Sequence, residues 1–359
     1  MPVPRLAVLG AGVSGLALAV RYAQYGGVVD LYEKRSTIPV DGFAFILQEN
    51  GLAALDRLGL RDDVMAAGRR LTEYQLTDHE GNELTTEQLG NCVGLRRGDL
   101  VHALLARLPA GVLHFGKSFV RFGGFVRGRA ATAWCADGTE IAADMFAGAD
   151  GIGSAVRSRL FPGHGLAPVR VKEVVSCAPA AALGHDRSTR FSKIVHRGGG
   201  LAVGYVPCGD DLVWFLQFDA QRYPCDDRDA ARVEDFIRRT LAGWPPVVRR
   251  LIEATDFARS HVWYSTRLAT PLPHYLRGNV VLLGDAAHPL PSLTSQGVNS
   301  ALEDAVALAD ALALAGPVAL ADYSTTRAAC IAGYLSQGAA LEADFLDPVG
   351  GDPAIPLAR

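Results

Sequence analysis

The densest group of residues able to hold a ligand is Gly10-Ala11-Gly12-Val13-Ser14-Gly15, a GxGxxG turn between an apolar strand, Leu6 to Leu9, and a helix, Leu16 to Tyr25. Each glycine has its own steric reason. The first permits the tight turn, the second lets backbone approach a pyrophosphate, and the third lets helix pack on strand. Free N–H groups at the helix N-terminus, Val13 and Ser14 among them, then face the phosphates. A second strand, Val28 to Tyr32, ends at Glu33, close to the spacing expected of a carboxylate that accepts hydrogen bonds from a ribose diol. Lys34 and Arg35 follow, and Arg35 is placed to reach the adenine or its ribose. A glycine turn in a nucleotide-free α/β fold would carry similar letters; the strand-turn-helix context separates the two. The fingerprint alone does not choose between nicotinamide and flavin dinucleotides.

Two further segments bear on that choice. Phe146-Ala147-Gly148-Ala149-Asp150-Gly151, followed by Ser154 and Arg157, is one; Val280 to His288, containing Gly284-Asp285-Ala286-Ala287-His288, is the other. They resemble the DG and GD motifs of class A flavoprotein monooxygenases, the para-hydroxybenzoate hydroxylase fold. The resemblance extends through Gln296-Gly297-Val298-Asn299, Leu302-Glu303-Asp304-Ala305, Arg97-Gly98-Asp99-Leu100, and Gly42, Asn50 and Leu55 to Leu60 near the start. It implies one FAD held without a covalent bond. Asp285 would accept from a ribityl hydroxyl, since a buried carboxylate without such a donor is costly. Gly297, Val298 and Asn299 open a helix whose N–H groups would meet the isoalloxazine edge that gains negative charge on reduction. Arg97 corresponds to an FAD-contacting arginine and Asp150 to the DG aspartate, which serves FAD and NAD(P)H together; Asp-Gly is also an ordinary turn. His288 reads as a packed structural histidine, so no protein side chain is assigned as catalytic.

The same resemblance implies the reaction: NAD(P)H reduces the flavin, and O2 then forms a C4a-hydroperoxyflavin that hydroxylates an organic substrate. No second glycine fingerprint is present for NAD(P)H, in keeping with transient binding of the reductant. Two places depart from the family pattern. Pro291-Ser292-Leu293-Thr294-Ser295-Gln296-Gly297 makes the loop beside the flavin bulkier and more polar, and Phe43 replaces a small residue after Gly42. Candidate substrate contacts are Tyr205, Trp214, Phe215 and Gln217 on apolar strands, with Pro291, and they suggest an aromatic or polycyclic substrate rather than a small charged acid. Epoxidation, Baeyer-Villiger oxidation and a non-redox FAD-containing cyclase or binding protein are the competing readings. A tryptophan-halogenase type is disfavoured by the lack of a Trp-x-Trp-x-Ile-Pro segment.

The elements that must position these residues follow from periodicity. The fold expected is α/β, a Rossmann-like FAD-binding domain interlocked with a mainly antiparallel β-sheet substrate domain. Residues 1–70, 95–168 and 269–359 are assigned to the first domain, and 71–94 with 169–268 to the second. Leu71 to Leu84 reads as a hairpin around Glu80-Gly81-Asn82, and Asp99 to Arg107 as a helix. Phe119 to Phe125, Thr132 to Cys135 and Ile141 to Ala147 read as strands. Leu201 to Cys208 and Leu212 to Phe218 form a hairpin whose second strand puts Leu212, Trp214, Leu216 and Phe218 on one face and Val213, Phe215 and Gln217 on the other. Asn279 to Leu283 is a buried strand and Gln296 to Ala315 a long helix, after which the chain soon ends without the thioredoxin-like third domain of some relatives.

Composition sets the outer bounds. Hydrophobic residues make up 49% and charged residues 20% of 359, a packed globular balance. A net charge of −3, with no long run of like charge, speaks against nucleic acid as a partner. Six scattered cysteines without a CxxC pair or His cluster give no metal site and suit a reducing, cytoplasmic setting. The apolar run after Arg5 is broken by glycines where a signal peptide needs none, and no tract is suited to span a membrane. A monomer or homodimer acting on a small organic molecule is the expectation.

Overall fold

The computed structural model describes residues 4–40, 44–184 and 188–348; Gly42 and Phe43 lie outside the described residues. Its first sheet has six strands in the order Leu276–Arg277, Val280–Leu282, Met145–Gly148, Leu6–Leu9, Val29–Tyr32 and Leu113–His114. All neighbours are parallel except the first pair. Leu6–Leu9 is buried throughout because it lies mid-sheet with layers on both faces, which is why it contains no polar residue. Helix Val13–Gln24 packs on helix Gly297–Asp310 through a core that includes Leu16, Val20, Leu302 and Val306.

The second sheet has eight strands, in the order His261–Tyr264, Val171–Pro179, Asp211–Asp219, Leu201–Cys208, Arg190–Val195, Arg69–Asp78, Glu83–Arg96 and Ala44–Leu47. Every neighbouring pair is antiparallel except Arg190–Val195 with Arg69–Asp78. The sheet therefore takes in Ala44–Leu47 and begins at Arg69, both from the span 1–70 assigned to the first domain. One face carries Leu212, Trp214, Leu216 and Phe218 against Val233, Phe236, Val248 and Leu251 of helices Ala230–Thr240 and Pro246–Glu253. The other carries Val213 and Phe215 beside Tyr74, Phe191 and Val206.

Three expectations are corrected. Ile141 to Ala147 is two strands: Glu140–Ala142 joins a three-stranded sheet with Phe119–Val126 and Arg129–Cys135, and Met145–Gly148 joins the parallel sheet. Between them the Asp144 carboxylate accepts from the Arg5 N–H at 2.8 Å, a bond that a continuous strand would not leave free. The helix from Gly297 is regular only to Asp310, closing in a π-turn before Gly316 at φ 74°, and a 27-residue helix, Leu320–Leu346, follows. Tyr205 and Trp214, expected to contact substrate, sit opposite each other in register on the face covered by helices. Trp214 is fully buried, and its Nε1 donates to Thr255 Oγ1 at 2.9 Å. Period-2 alternation separates two faces without saying which one a site occupies.

Trp214→Ala is therefore expected to cost about 3–5 kcal/mol of stability in urea denaturation, as other buried aromatic truncations do. Phe at the same position should recover most of that loss.

Candidate active site

The three glycines of the first turn divide their work as their spacing implied. Gly10 has φ +114°, and a Cβ there would lie 2.3 Å from Ala149 O; a Cβ on Gly15 would lie 2.0 Å from Gly10 O. Both are consumed by packing. Gly12 has nothing within 4 Å of its missing Cβ, so the turn opens onto free space at that point. Gly12 is also the N-cap of helix Val13–Gln24, which has no side-chain cap and no acidic residue in its first turn. Its positive end is left for an anion. Glu33 stands beside it, its Oε2 accepting from Ala11 N at 2.9 Å and Oε1 from Arg35 N at 3.0 Å. Each oxygen retains a further lone pair for a hydroxyl donor.

Cations line the same region. Arg97 donates from Nη1 to Pro39 O at 2.6 Å, and burial together with the Arg35 charge lowers its pKa. Lys34 and Arg35 are exposed. Among the described residues neither Arg35 nor Arg97 has a carboxylate partner, an arrangement that suits phosphate.

Asp285 lies in the GD turn, partly exposed, and its carboxylate has no hydrogen-bond partner among the described residues. Burial raises its pKa; His288 and Arg157 oppose the rise and Asp304 adds to it. Asp150 is different, because both its oxygens are taken locally, Oδ1 by Ser154 Oγ at 2.5 Å and Oδ2 by Val156 N at 3.0 Å. It caps the short helix Ala155–Leu160 and fixes the wall behind Gly10, so its geometry is that of a positioning residue. Arg157 ties the two motifs together, donating to Asp285 O at 3.2 Å, Ala286 O at 3.0 Å and Ile152 O at 2.6 Å.

The helix at Gly297 repeats the arrangement at Gly12: no side-chain cap, no acidic first turn, and nothing within 4 Å of the Gly297 Cβ position. Val298 is part-buried in its first turn, and Asn299 is wholly buried. The Asn299 side chain donates to Ile46 O at 3.0 Å and Ser295 O at 2.8 Å and accepts from Gln48 N at 3.0 Å. It stitches the second sheet to the helix, so only its backbone N–H remains for a ligand. Behind the GD turn, Asp304 accepts from Gly284 N at 2.8 Å and Arg327 Nε at 2.6 Å and shares a 2.5 Å hydrogen bond with His288 Nε2. Burial alone would raise Asp304; His288, then Arg327 and the Gly284 N–H, bring it down to about 2. His288 is thus occupied in structure.

Sequence reasoning missed a polar group on the face of the eight-stranded sheet opposite helices Ala230–Thr240 and Pro246–Glu253. Glu173 Oε1 accepts from Gln217 Nε2 at 2.6 Å and from Ser292 Oγ at 2.5 Å, joining the sheet to the loop after the GD turn. Lys193 is buried on the same face. A lone charge inside an apolar alternation, as in Phe191-Ser192-Lys193-Ile194-Val195, was the available signal. Pro291 is buried in the loop beside Ser292, and its carbonyl accepts from Thr294 Oγ1 at 3.0 Å.

An open glycine gap, two uncapped helix starts, unpaired arginines and an unpartnered carboxylate form a donor set to which a flavin dinucleotide fits. Sheet pair and donor set together define a flavoprotein monooxygenase of the aromatic-hydroxylase architecture. The chain belongs to the family described as FAD binding domain, which matches residues 4–336. It is similar to the 6-hydroxynicotinate 3-monooxygenase of Bordetella bronchiseptica, 30% identical over 322 residues, covering 85% of this chain and 82% of that one. It is similar also to the FAD-dependent urate hydroxylase of Mycolicibacterium vanbaalenii, 29% identical over 321 residues, covering 85% and 78%. The crystal structure of Klebsiella pneumoniae HpxO complexed with FAD and uric acid shares the fold at a TM-score of 0.85 and 24% identity, covering 95% and 88%.

Gly12→Val should leave the FAD-free chain within about 1 kcal/mol of its original stability, because the new side chain meets only open space. It should weaken FAD binding at least about 100-fold in a fluorescence titration. Asp304→Asn should cost about 3–5 kcal/mol in chemical denaturation, since buried Arg327 would lose the carboxylate on its Nε and keep only part-exposed Glu303. The stabilisation from ionised Asp304 is complete above the usual carboxylate range and is lost as pH falls toward about 2, so the variant's deficit should vanish there.

Proposed function

We propose that this enzyme uses NAD(P)H and O2 to hydroxylate an aromatic organic substrate. The observation that carries the reading is the meeting of the two distant motifs: a Cβ on Gly284 would lie 2.8 Å from Ser14 Oγ, so the GD turn lies against the fingerprint helix, as one ligand spanning both would need. The N–H groups of Gly12, Val13, Ser14 and Gly15 hold the pyrophosphate, with Arg97 supplying charge from the side. Gly10 gives the turn its shape. Glu33 accepts from the adenosine ribose, Lys34 and Arg35 flank the adenine end, and Asp150 holds the turn in place. Asp285, in the turn opened by Gly284, accepts from the ribityl chain. Gly297, Val298 and Asn299 aim backbone N–H groups at the ring.

What FAD supplies when bound is two-electron redox chemistry, taking electrons from NAD(P)H and activating O2. Overall, substrate C–H, NAD(P)H, O2 and one proton become substrate C–OH, NAD(P)+ and water. The protein's part is to orient the substrate and exclude water while that happens. The substrate lies on the Phe215 side of the eight-stranded sheet, where Phe215 offers a ring and Gln217 a polar contact, with Pro291 shaping the adjoining loop.

Purified protein should be yellow and retain FAD, and NAD(P)H oxidation should rise with a suitable aromatic substrate. Under 18O2 the hydroxylated product should carry one labelled oxygen. Label arriving from water instead, or a chain that stays colourless with excess FAD, overturns the reading.

A further inference from the structure

The helices that cover the Trp214 face of the eight-stranded sheet carry a recess of their own. It is a cavity of about 390 Å³ between the end of Ala230–Thr240 and the start of Pro246–Glu253, a volume typical of a small-molecule site. Leu241, Trp244, Pro246 and Ile252 form its apolar wall, and Arg238 on the first helix and Arg249 on the second line it as well. Leu241 and Ile252 belong also to the core that contains Trp214. The sheet therefore separates this recess from Phe215 on the opposite face.

Its rim is fixed by the sequence Leu241-Ala242-Gly243-Trp244-Pro245-Pro246. Gly243 turns the chain at φ 83°, in the left-handed region where a side chain is strained. Pro245 at φ −50° and Pro246 at the first helical position then leave Trp244 little backbone freedom. The Trp244 ring is part-buried and packs against the same core as Trp214. A ring already held in place loses little entropy when a ligand stacks on it.

The recess is unbalanced in charge, since two guanidiniums line it and no carboxylate does. Each arginine has an acidic neighbour one turn along its own helix, Glu234 and Glu253, but both pairs are exposed to solvent and such pairs contribute little. Arg249 comes only to 3.8 Å of Glu253 and makes no hydrogen bond among the described residues. Arg238 directs Nε and Nη2 to one Glu234 oxygen, which leaves its Nη1 unspent. Two guanidinium forks beside one apolar wall suit a group with three acceptor oxygens and about two negative charges, which a carboxylate lacks and a phosphate monoester has.

We propose that this recess is a second ligand site, taking a ring-bearing phosphate monoester whose ring stacks on Trp244 and whose phosphate is held by Arg238 and Arg249. It stands apart from the hydroxylation chemistry and does not depend on it. Leu241, Pro246 and Ile252 supply the apolar surface around the ring. Through Leu241 and Ile252 an occupant bears on Trp214, and so on the strand that carries Phe215 and Gln217. A nucleoside monophosphate and a simple aryl phosphate share this chemistry, and the probes below separate them.

The test is calorimetric titration of the FAD-loaded enzyme with AMP and with 1-naphthyl phosphate, so that the cofactor's own phosphate site is filled. At least one of them should bind with a Kd below about 1 mM, and whichever is tighter tells a nucleotide from an aryl phosphate. Inorganic phosphate, 1-naphthol and 1-naphthoate should each bind at least about tenfold more weakly than 1-naphthyl phosphate if that is the tighter ester, and inorganic phosphate and adenosine likewise if it is AMP. Arg238→Gln and Arg249→Gln should each weaken the tighter ester about tenfold, and Trp244→Leu should do the same through the ring. Both arginines are surface residues, so the double variant should keep its FAD absorbance and its thermal midpoint. Failure of both esters to bind, equal binding by the unaltered enzyme and the arginine double variant, or 1-naphthoate binding as tightly as the tighter ester overturns the proposal.

Discussion

Asp304 is the residue on which the assembly rests. Its carboxylate is wholly buried and answers to three groups on two stretches of chain: the backbone of Gly284 and the ring of His288 in the GD turn, and the guanidinium of Arg327 on the long final helix. A carboxylate in that position is tolerable only when its lone pairs are filled, so those stretches are held at hydrogen-bond distance or the fold is lost. Because Gly284 is thereby pinned, its turn is pressed against Ser14 at the start of the first helix. The contact between the two motifs is a by-product of one buried charge being satisfied.

Two sheets then share the labour. The parallel one leads into two helices that start without a side-chain cap, with open space at Gly12 and Gly297, a geometry suited to an anion or a polar ring edge. The antiparallel one contributes side chains rather than backbone, since its ladder hydrogen bonds are already spent within the sheet. Asn299 and Ser292 join the two, the first through Gln48 and Ile46 and the second through Glu173.

The parts of this design written in steric terms were legible from the residues. Gly10, Gly12 and Gly15 each exclude a side chain for a local reason, and Leu6 to Leu9 could only be an interior strand. The alternation from Leu212 to Phe218 displayed two faces. It could not say which face is covered by helices, and so Trp214 was taken for a ligand contact when it is core. Glu173 was hidden because its partners, Gln217 and Ser292, come from a strand and a loop distant in sequence. Asp150 was recognised by its motif, but its use as a helix cap depends on Ser154 and Val156 folding back over it. The split at Asp144 and the helix Leu320–Leu346 depended on tertiary partners in the same way.

The hydrogen bond from Ser292 to Glu173 has one more implication. It connects the loop after the GD turn to the antiparallel sheet, which in the proposed function are the cofactor side and the substrate side, through a single proton on a single oxygen. Any occupant of one side that strengthens or frees this bond changes the free energy of the other side, and by thermodynamic linkage the influence is the same in both directions. Through this contact, beside that of Asn299, two binding events separate in chemistry become terms of a common equilibrium.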